Sequence, residues 1–163
     1  MDVSIRAATA EDAGAICTIY NQGIEDRIAT LETELRTPEE RRQWMADRAP
    51  RHPVVVATAG HQVVGWGSLN SFNPRPAYDN VVDLSVYVER SWRGRGVGRV
   101  MLTHLLALAK SLGYHKMVLA TFPYNEAGVS LYKKMGFATV GVYREQGRLD
   151  GRWVDVLIME RLL

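Results

Sequence analysis

The run VVDLSVYVERSWRGRGVGR, residues 81–99, decides the fold. Its first eight residues are mostly β-branched, aromatic or apolar, which predicts a strand over residues 81–88. The glycines and arginines that follow predict a loop, and the apolar segment beyond Gly98 predicts a helix that reaches about Leu112. The run is therefore a strand, a glycine-rich loop and a helix in succession.

The glycine-rich loop has the chemistry of a phosphate site. Glycines at 94, 96 and 98 allow backbone conformations closed to other residues and let amides approach a ligand closely. The first turn of the following helix adds free N–H groups, and Arg93, Arg95 and Arg99 add positive charge. Alone such a loop is a weak signal, because a glycine-rich bend can also be purely structural.

Two other nucleotide-binding patterns do not fit this loop. A G-x-G-x-x-G pattern that begins at Gly94 has Arg99 in its last position, and no acidic residue lies between Val100 and Asn125 to hold a ribose. The G-K-[ST] ending of a P-loop is absent as well. The sequence thus favours an adenine nucleotide derivative held by its phosphates, without redox chemistry.

The rest of the chain alternates between strand and helix patterns. The predicted strands are residues 3–8, 53–59, 62–72, 116–122 and two that flank a turn at 147–151, and the predicted helices run from Thr9 to Gly23, Thr37 to Ala49 and Asn125 to Met135. The order predicts an α/β fold with a mixed, mostly antiparallel central sheet flanked by helices. The glycine-rich loop falls at the carboxyl end of a strand, where ligands tend to bind.

Length and composition bound the classes of function. The chain of 163 residues is 47% hydrophobic and 23% charged, which fits one domain over residues 1–163. A formal net charge of +2 is too mild to require nucleic acid or an anionic membrane as a partner. The amino terminus has no signal-peptide pattern and Cys17 is the single cysteine, so we expect a cytoplasmic protein. The four histidines lack metal-ligand spacing, which predicts no metal.

Two blocks of sequence resemble the GNAT acetyltransferase superfamily. Residues 93–98 fit the acetyl-CoA loop pattern [QR]-x-x-G-x-[GA], and residues 125–137 resemble the asparagine and tyrosine segment of the next helix. Residues 81–88 and 151–156 are similar to the phosphinothricin, methionine sulfone and arsinothricin acetyltransferase branch. The resemblance covers nearly the whole chain and implies an N-acetyltransferase that uses acetyl-CoA and forms a homodimer.

The resemblance also implies where acetyl-CoA binds. The backbone of Val86, Tyr87 and Val88 would hold the pantetheine arm, and Asn125 would hold the cofactor near its thioester. The diphosphate would lie on the loop and first helical turn, formed by Arg93, Gly94, Arg95, Gly96, Val97, Gly98 and Arg99.

Acyl transfer to an amine needs a proton acceptor for the amine and a proton donor for the departing thiolate. Asp83 is the candidate base, because the related branch has a carboxylate at this strand position; it is usually Glu, so the shorter Asp favours a water relay. A surface carboxylate is the alternative. Tyr132 matches the tyrosine that donates to the coenzyme A sulfur, although an aromatic residue on a helix is more often part of the core.

Three residues are candidates for binding the amine substrate. Arg75, between two prolines, has the fork geometry that clamps a carboxylate or a tetrahedral oxyacid group, although a solvated loop arginine is equally in keeping with the sequence. Leu31 and Glu32 lie in a segment that lines the substrate site in the GNAT branch that this chain resembles.

Val154 stands where phosphinothricin enzymes often have histidine. Methionine sulfoximine, methionine sulfone and arsinothricin therefore stay open beside phosphinothricin.

Other functions compete with this hypothesis. A protein amino-terminal or polyamine acetyltransferase would use the same cofactor half, and a non-catalytic acyl-CoA sensor would keep the glycine loop without needing Asp83 and Tyr132. Nucleic-acid binding through the arginines of residues 90–99 lacks both a strong charge excess and an aromatic-rich basic face. A small amine, without nucleic acid or membrane, is the expected partner.

Overall fold

The computed structural model describes residues 2–163 and contains seven strands and four α-helices. The strands are β1 Ser4–Ala7, β2 Val54–Ala59, β3 Gln62–Ser71, β4 Val81–Val88, β5 Lys116–Thr121, β6 Ala138–Leu149 and β7 Arg152–Leu162. The helices are α1 Ala13–Glu25, α2 Pro38–Ala46, α3 Val97–Ser111 and α4 Glu126–Lys134. Short 3-10 turns occupy 10–12, 76–78 and 90–92.

All seven strands join one sheet in the order β1-β2-β3-β4-β5-β7-β6. Every neighbouring pair is antiparallel except β4 and β5, which run parallel and are joined by the crossover through α3. A parallel pair needs such a crossover because a short turn cannot return the chain to the same end of the sheet. The predicted mixed, mostly antiparallel α/β fold is confirmed.

The two faces of the sheet carry separate apolar clusters. On one face, α3 packs its buried residues Met101 and Leu105 against the middle strands, and residues of α4 join this larger cluster. The approach is close: a Cβ on Gly65 would lie 2.9 Å from the Met101 sulfur. On the other face, α1 packs Ile16, Ile19, Tyr20 and Ile24 against Val56 and Trp66. Burial on both faces makes the middle strands rigid supports for the loops at their ends.

Side chains fix where the first two helices begin and end. Asp12 accepts a 2.7 Å bond from the Thr9 N–H and two 2.8 Å bonds from the guanidinium of Arg6, so it ties the start of α1 to β1. Thr37 caps α2 by accepting from the Glu40 N–H at 3.2 Å. This helix ends at Ala46, before the predicted end at Ala49. Within residues 2–163, no helix combines the length and apolarity needed to cross a bilayer.

Strands β6 and β7 form a long ribbon at one edge of the sheet. β6 is the edge strand and is exposed along most of its length, with Val140, Val142 and Tyr143 each about half exposed. Trp153 on β7 is 60% exposed. The tip of the ribbon returns to the segment after α1 through a salt bridge of 3.0 Å between Arg27 Nε and Asp150 Oδ2.

Candidate active site

The ladder between β4 and β5 ends in mid-strand. Its pairs are Val81 with Lys116, Val82 with Met117, and Asp83 with Val118. Beyond Asp83, strand β4 continues for five residues that pair with β3 alone. Strands β4 and β5 diverge at this point, and β5 has no further partner on β4 after Val118. Two adjoining cavities lie at this divergence, and both are lined by Val86, Tyr87, Asn125 and Tyr132.

The larger cavity has a volume of about 590 Å³ and runs from the end of β4 to the glycine-rich loop and α4. It is lined by Ile19 and Gly23 of α1, Ile28 and Ala29 of the segment after α1, Val86, Tyr87 and Val88 of β4, Trp92, Arg93, Gly94, Gly96, Gly98 and Arg99 of the loop and α3, and Asn125, Ala127, Gly128, Ser130, Leu131, Tyr132 and Lys134 around α4.

Two glycines set the shape of the loop that borders this cavity. Gly94 has φ of 75° and Gly96 has φ of 87°, a region that side-chain-bearing residues rarely adopt. Gly96 is also the residue before the first turn of α3. The N–H groups of Val97, Gly98 and Arg99 precede the first helical hydrogen bond, from the Val100 N–H to the Gly96 carbonyl at 3.2 Å. The loop therefore offers several amide donors at the positive end of a helix dipole.

The cationic residues around the loop differ in their freedom. Arg99 and Lys134 line the larger cavity. Arg93 also lines it, but its Nη1 lies 2.6 Å from Asp26 Oδ2 and its Nε donates to the Val88 carbonyl at 3.4 Å. Arg93 is thus committed to holding the loop against the end of α1.

Two of the predicted phosphate-binding residues lie outside both cavities. The guanidinium carbon of Arg95 is 4.0 Å from the centroid of the Trp92 ring, a stacked position next to the loop. The Val97 side chain is buried in the larger apolar cluster, so only its backbone is available to a ligand.

The smaller cavity, of about 200 Å³, is lined by both of the candidate acid–base residues that the sequence singles out. Asp83 lines it from β4 and Tyr132 lines it from α4. Its other residues are Ile28, Ala29, Leu84, Ser85, Val86, Tyr87, Ala120, Thr121 and Asn125. A carboxylate and a phenol therefore open on one small space beside the larger cavity.

Burial gives Asp83 the titration range of a general base. It raises the pKa of the carboxyl from 3.8 to about 6, while a hydrogen bond from Asn70 lowers it in part. A carboxylate with a pKa near 6 is ionised at neutral pH and still basic enough to take a proton from an amine or a water molecule.

Burial also raises the pKa of two tyrosines that line the smaller cavity. It raises the pKa of Tyr132 to about 12 and lifts the pKa of Tyr87 further above its usual value, so both hydroxyls keep their protons. Tyr87 stacks on Trp66 with ring centroids 4.7 Å apart, which fixes its ring. Tyr132 packs edge-on against Phe137 at 5.9 Å.

Asn125 sits where the two cavities meet and caps α4. Its Oδ1 accepts a hydrogen bond of 3.3 Å from the Gly128 N–H, and its Nδ2 donates to Thr121 Oγ1 at 3.4 Å. A Cβ on Gly128 would lie 2.5 Å from the Asn125 Nδ2. The glycine thus leaves room for the cap, and the cap fixes Asn125 at the mouth of the smaller cavity.

Neither cavity is lined by the three predicted substrate-binding residues. Arg75 is exposed on the loop between β3 and β4, where its N–H donates to Asn73 Oδ1 at 3.0 Å. Leu31 packs closely against Gly147 of the β6–β7 ribbon. A Cβ on Gly147 would lie 2.6 Å from Leu31 Cδ2. Glu32 pairs with Arg36 at 2.8 Å.

Sequence reasoning missed residues that line the cavities from other elements. Ile28 and Ala29 line both cavities from an irregular segment, and Thr121 enters the smaller one from the end of β5. Trp92 and Lys134 carried a weak signal, since both lie within or beside the quoted motifs. Within residues 2–163, no group of three or more His, Cys, Asp and Glu side chains is placed to hold a metal ion.

Comparison with known proteins gives consistent matches. The family model described as "Acetyltransferase (GNAT) family" matches residues 18–137. Over 162 residues the chain is 32% identical to the L-methionine sulfoximine/L-methionine sulfone acetyltransferase of Pseudomonas aeruginosa, covering 98% of this chain and 94% of that one.

Solved structures agree with the family match. A GNAT superfamily phosphinothricin acetyltransferase from Sinorhizobium meliloti, in complex with AcCoA, matches with a TM-score of 0.94 at 28% identity, over 100% of this chain and 89% of that chain. A structure of ribosomal-protein-alanine N-acetyltransferase from Brucella melitensis matches with a TM-score of 0.94 at 35% identity, over 98% and 99% of the two chains.

Proposed function

The chain belongs to the GNAT acetyltransferase family, and from this premise we propose that it acetylates the α-amino group of a small amino-acid-like compound with a tetrahedral head group. It is an acetyl-CoA-dependent N-acetyltransferase. The observation that carries the proposal is the pairing of Asp83 and Tyr132 on one small cavity at the end of the β4–β5 ladder. Acetylation of such a compound would remove its charged amino group and confer resistance to it.

The residues of the larger cavity fit acetyl-CoA. Gly94 and Gly96, with positive φ, leave the loop backbone open to a diphosphate, and Arg99 and Lys134 supply charge at its rim. Val86 to Val88 pair with β3 but no longer with β5, so on that side their backbone groups are offered to the pantetheine arm. We assign the cofactor site to residues 86–88, 93–99 and Asn125, where the side chains of Arg93 and Arg95 support the loop.

Each member of the acid–base pair has one task in the transfer. Acetyl-CoA, when bound, supplies the acetyl group as a thioester, whose carbonyl carbon bonds to the amine nitrogen as its bond to sulfur breaks. Asp83 accepts the proton that the ammonium group must lose, directly or through water. Tyr132 donates its proton to the departing thiolate and regains one from the nitrogen or from solvent. The products are the acetylated amine, the free thiol and one proton.

The substrate class rests on the relatives and on the size of the smaller cavity. A volume of about 200 Å³ suits a small compound. The related Pseudomonas enzyme is named for methionine sulfoximine and methionine sulfone, and the Sinorhizobium enzyme for phosphinothricin. We keep Arg75 as the candidate clamp for an anionic group of the substrate. Leu31 and Glu32 remain candidates on the segment that lines the cavities through Ile28 and Ala29.

A second candidate is the acetylation of a protein amino terminus, which the match to the Brucella enzyme favours. The two functions separate in one assay, the release of coenzyme A thiol from acetyl-CoA. Phosphinothricin, methionine sulfone, methionine sulfoximine and arsinothricin are compared with methionine, a polyamine and a peptide that begins with alanine. The proposal expects saturable release with one of the first four compounds at a kcat/KM well above that for the peptide. A preference for the peptide would replace the proposal with the second candidate.

We also propose that the protein acts as a cytoplasmic homodimer. Acetyl-CoA is an intracellular metabolite, and Cys17, the single cysteine, is a buried free thiol. The exposed Val140, Val142 and Tyr143 give the edge strand β6 an apolar surface of the kind that a second copy covers. Light scattering during gel filtration tests the dimer, and a Val142→Lys variant that stays dimeric would exclude Val142 from the interface.

A further inference from the structure

Asn70 lies directly opposite Asp83 across strands β3 and β4. Residues that face each other across an antiparallel pair point to the same side of the sheet, so both side chains lie on one face. Ser68, two residues before Asn70, lies opposite Ser85, two residues after Asp83, on the same face. A small polar patch therefore adjoins the smaller cavity, which Asp83 and Ser85 line.

The amide of Asn70 is held in one orientation by donors on one side. Its Oδ1 accepts a hydrogen bond of 2.7 Å from Arg48 Nη2 and another of 3.0 Å from Ser68 Oγ. An amide oxygen can accept these bonds but the Nδ2 group cannot. The Nδ2 group consequently faces the other way, towards Ser85 Oγ at 3.1 Å, Asp83 Oδ2 at 3.4 Å and the Asp83 carbonyl at 3.4 Å.

Arg48 is itself fixed by the backbone. Its Nε donates to the His52 carbonyl at 2.9 Å and its Nη2 donates to the Leu69 carbonyl at 2.7 Å. The guanidinium carbon stacks over the Trp44 ring at 4.3 Å. A half-buried guanidinium with two carbonyl partners has little freedom to turn away, so it gives the Asn70 amide a rigid support.

We propose that Asn70 is a positioning residue for the acetyl transfer: Arg48 fixes its amide, and the amide N–H2 group aims the Asp83 carboxylate into the smaller cavity and favours its ionised form. This inference rests on the proposed role of Asp83 as base. It extends the acid–base pair by two residues, Asn70 and Arg48, that line neither cavity.

The titration of Asp83 agrees with this arrangement. Burial raises the pKa of Asp83 to about 6, and the hydrogen bond from Asn70 opposes that rise. Loss of the donor would leave the desolvation unopposed and move the pKa further into the neutral range. The other titratable groups that line the smaller cavity with this carboxyl are Tyr87 on β4 and Tyr132 on α4, and the charged Arg48 lies on the far side of the Asn70 amide.

The test is a carbon-13 NMR titration of the Asp83 carboxyl in the free protein, with Asp83→Asn to assign the signal. Asn70→Leu removes the donor. Asn70→Asp keeps the shape and the partner of Arg48 but turns a second carboxylate towards Asp83, so the test does not depend on one variant folding. Ser68→Ala, which removes only the weaker of the two donors to Oδ1, is the matched control.

The pH dependence of kcat/KM is measured on the same proteins with the best amine of the panel. We expect both Asn70 variants to raise the Asp83 pKa by about one pH unit or more. The acidic limb of the kcat/KM profile should move to higher pH by the same amount, with activity recovering at high pH. Ser68→Ala should change neither. An Asp83 pKa that is the same in the wild type and both Asn70 variants would overturn the inference. A shifted pKa with an unshifted rate profile would instead overturn the role of Asp83 in the proposed function.

Discussion

Asp83 and Val118 form the last pair of the parallel ladder between β4 and β5. The position of this pair explains the site, because it puts the carboxylate at the point where the strands cease to pair and a cavity begins. Strand pairing holds the Asp83 backbone on both sides, to Asn70 of β3 and to Val118 of β5, and its side chain lines the open space that follows. Catalytic groups on rigid strands beside a gap keep their geometry without being covered.

Replacement of Asp83 by Asn should stabilise the protein while it lowers activity. The pKa of Asp83 is about 6 in the folded protein and 3.8 in the unfolded chain, so folding favours the protonated form. That favourable contribution is complete below pH 3.8 and is lost as the pH rises through 6, so the ionised carboxylate opposes folding at neutral pH. We expect Asp83→Asn to raise the free energy of unfolding by about 1–2 kcal/mol at pH 7.5 and by about half as much at pH 5.

Urea unfolding at the two pH values measures this difference. Asp79→Asn is the control, since Asp79 is exposed. A destabilised Asp83→Asn protein, or a gain that does not depend on pH, would contradict the buried, raised-pKa state of the carboxyl.

Loss of the Tyr132 hydroxyl should slow turnover without weakening cofactor binding. Tyr132→Phe keeps the ring that packs against Phe137 but removes the hydroxyl that we propose as the proton donor at the smaller cavity. General acid catalysis is typically worth about 10²–10⁴-fold, so we expect kcat to fall by about 10²-fold or more. Calorimetry should find the Kd of acetyl-CoA within about twofold of the wild type. Tyr143→Phe, on the exposed β6 strand, serves as the control, and an unchanged kcat in Tyr132→Phe would remove the proposed donor.

Gly94 should matter for cofactor binding beyond its effect on the fold. Gly94 and Gly60 both have positive φ, 75° and 60°, and both have open space where a Cβ would stand. Alanine at either position should cost about 1 kcal/mol of stability from backbone strain. Only Gly94 lines the larger cavity, so only Gly94→Ala should weaken acetyl-CoA binding, by about tenfold. Equal losses of affinity in the two variants would mean that the loop does not contact the cofactor.

Contact between Leu31 and Gly147 should fix the position of the segment after α1, whose residues Ile28 and Ala29 line both cavities. A Cβ at Gly147 would lie 2.6 Å and 2.8 Å from the two methyl carbons of Leu31, so Gly147→Ala must displace that side chain. Because Ile28 and Ala29 lie on the same segment, we expect KM for the amine to rise about threefold. Gly141→Ala on the same strand has open space and is the matched control.

The double variant Gly147→Ala with Leu31→Ala completes a cycle. If the displaced Leu31 side chain causes the rise in KM, its removal should return KM most of the way to the wild-type value. Additive effects of the two substitutions would show that the ribbon does not act on the site through this contact.

Local patterns were sufficient to predict the central unit of the fold. The alternation in residues 81–88 and the glycines that follow gave strand, loop and helix, and β4 occupies Val81–Val88 as predicted. Thr37 and Pro38 located the start of α2 because a cap and a first-turn proline act within one turn. Asn125, at the predicted start of the fourth helix, is the residue that caps α4.

Features that depend on pairing between distant segments could not be predicted in this way. The end of the β4–β5 ladder at Asp83 depends on how the crossover through α3 sets two strands side by side. The position of Asn70 beside Asp83 follows from the β3–β4 register, and its orientation follows from Arg48, which lies 22 residues earlier in the chain. Gly147, predicted to begin a turn, lies within β6 instead, because the ribbon extends to Leu149 before it turns.

A crystal structure with coenzyme A and the best amine of the panel tests the central claim, that acetyl transfer takes place where β4 and β5 diverge. We expect the diphosphate on the amides of residues 94–99, the sulfur within hydrogen-bond distance of the Tyr132 hydroxyl, and the amine nitrogen within reach of Asp83 directly or through one water. A sulfur or an amine bound outside the smaller cavity, away from both side chains, would contradict it.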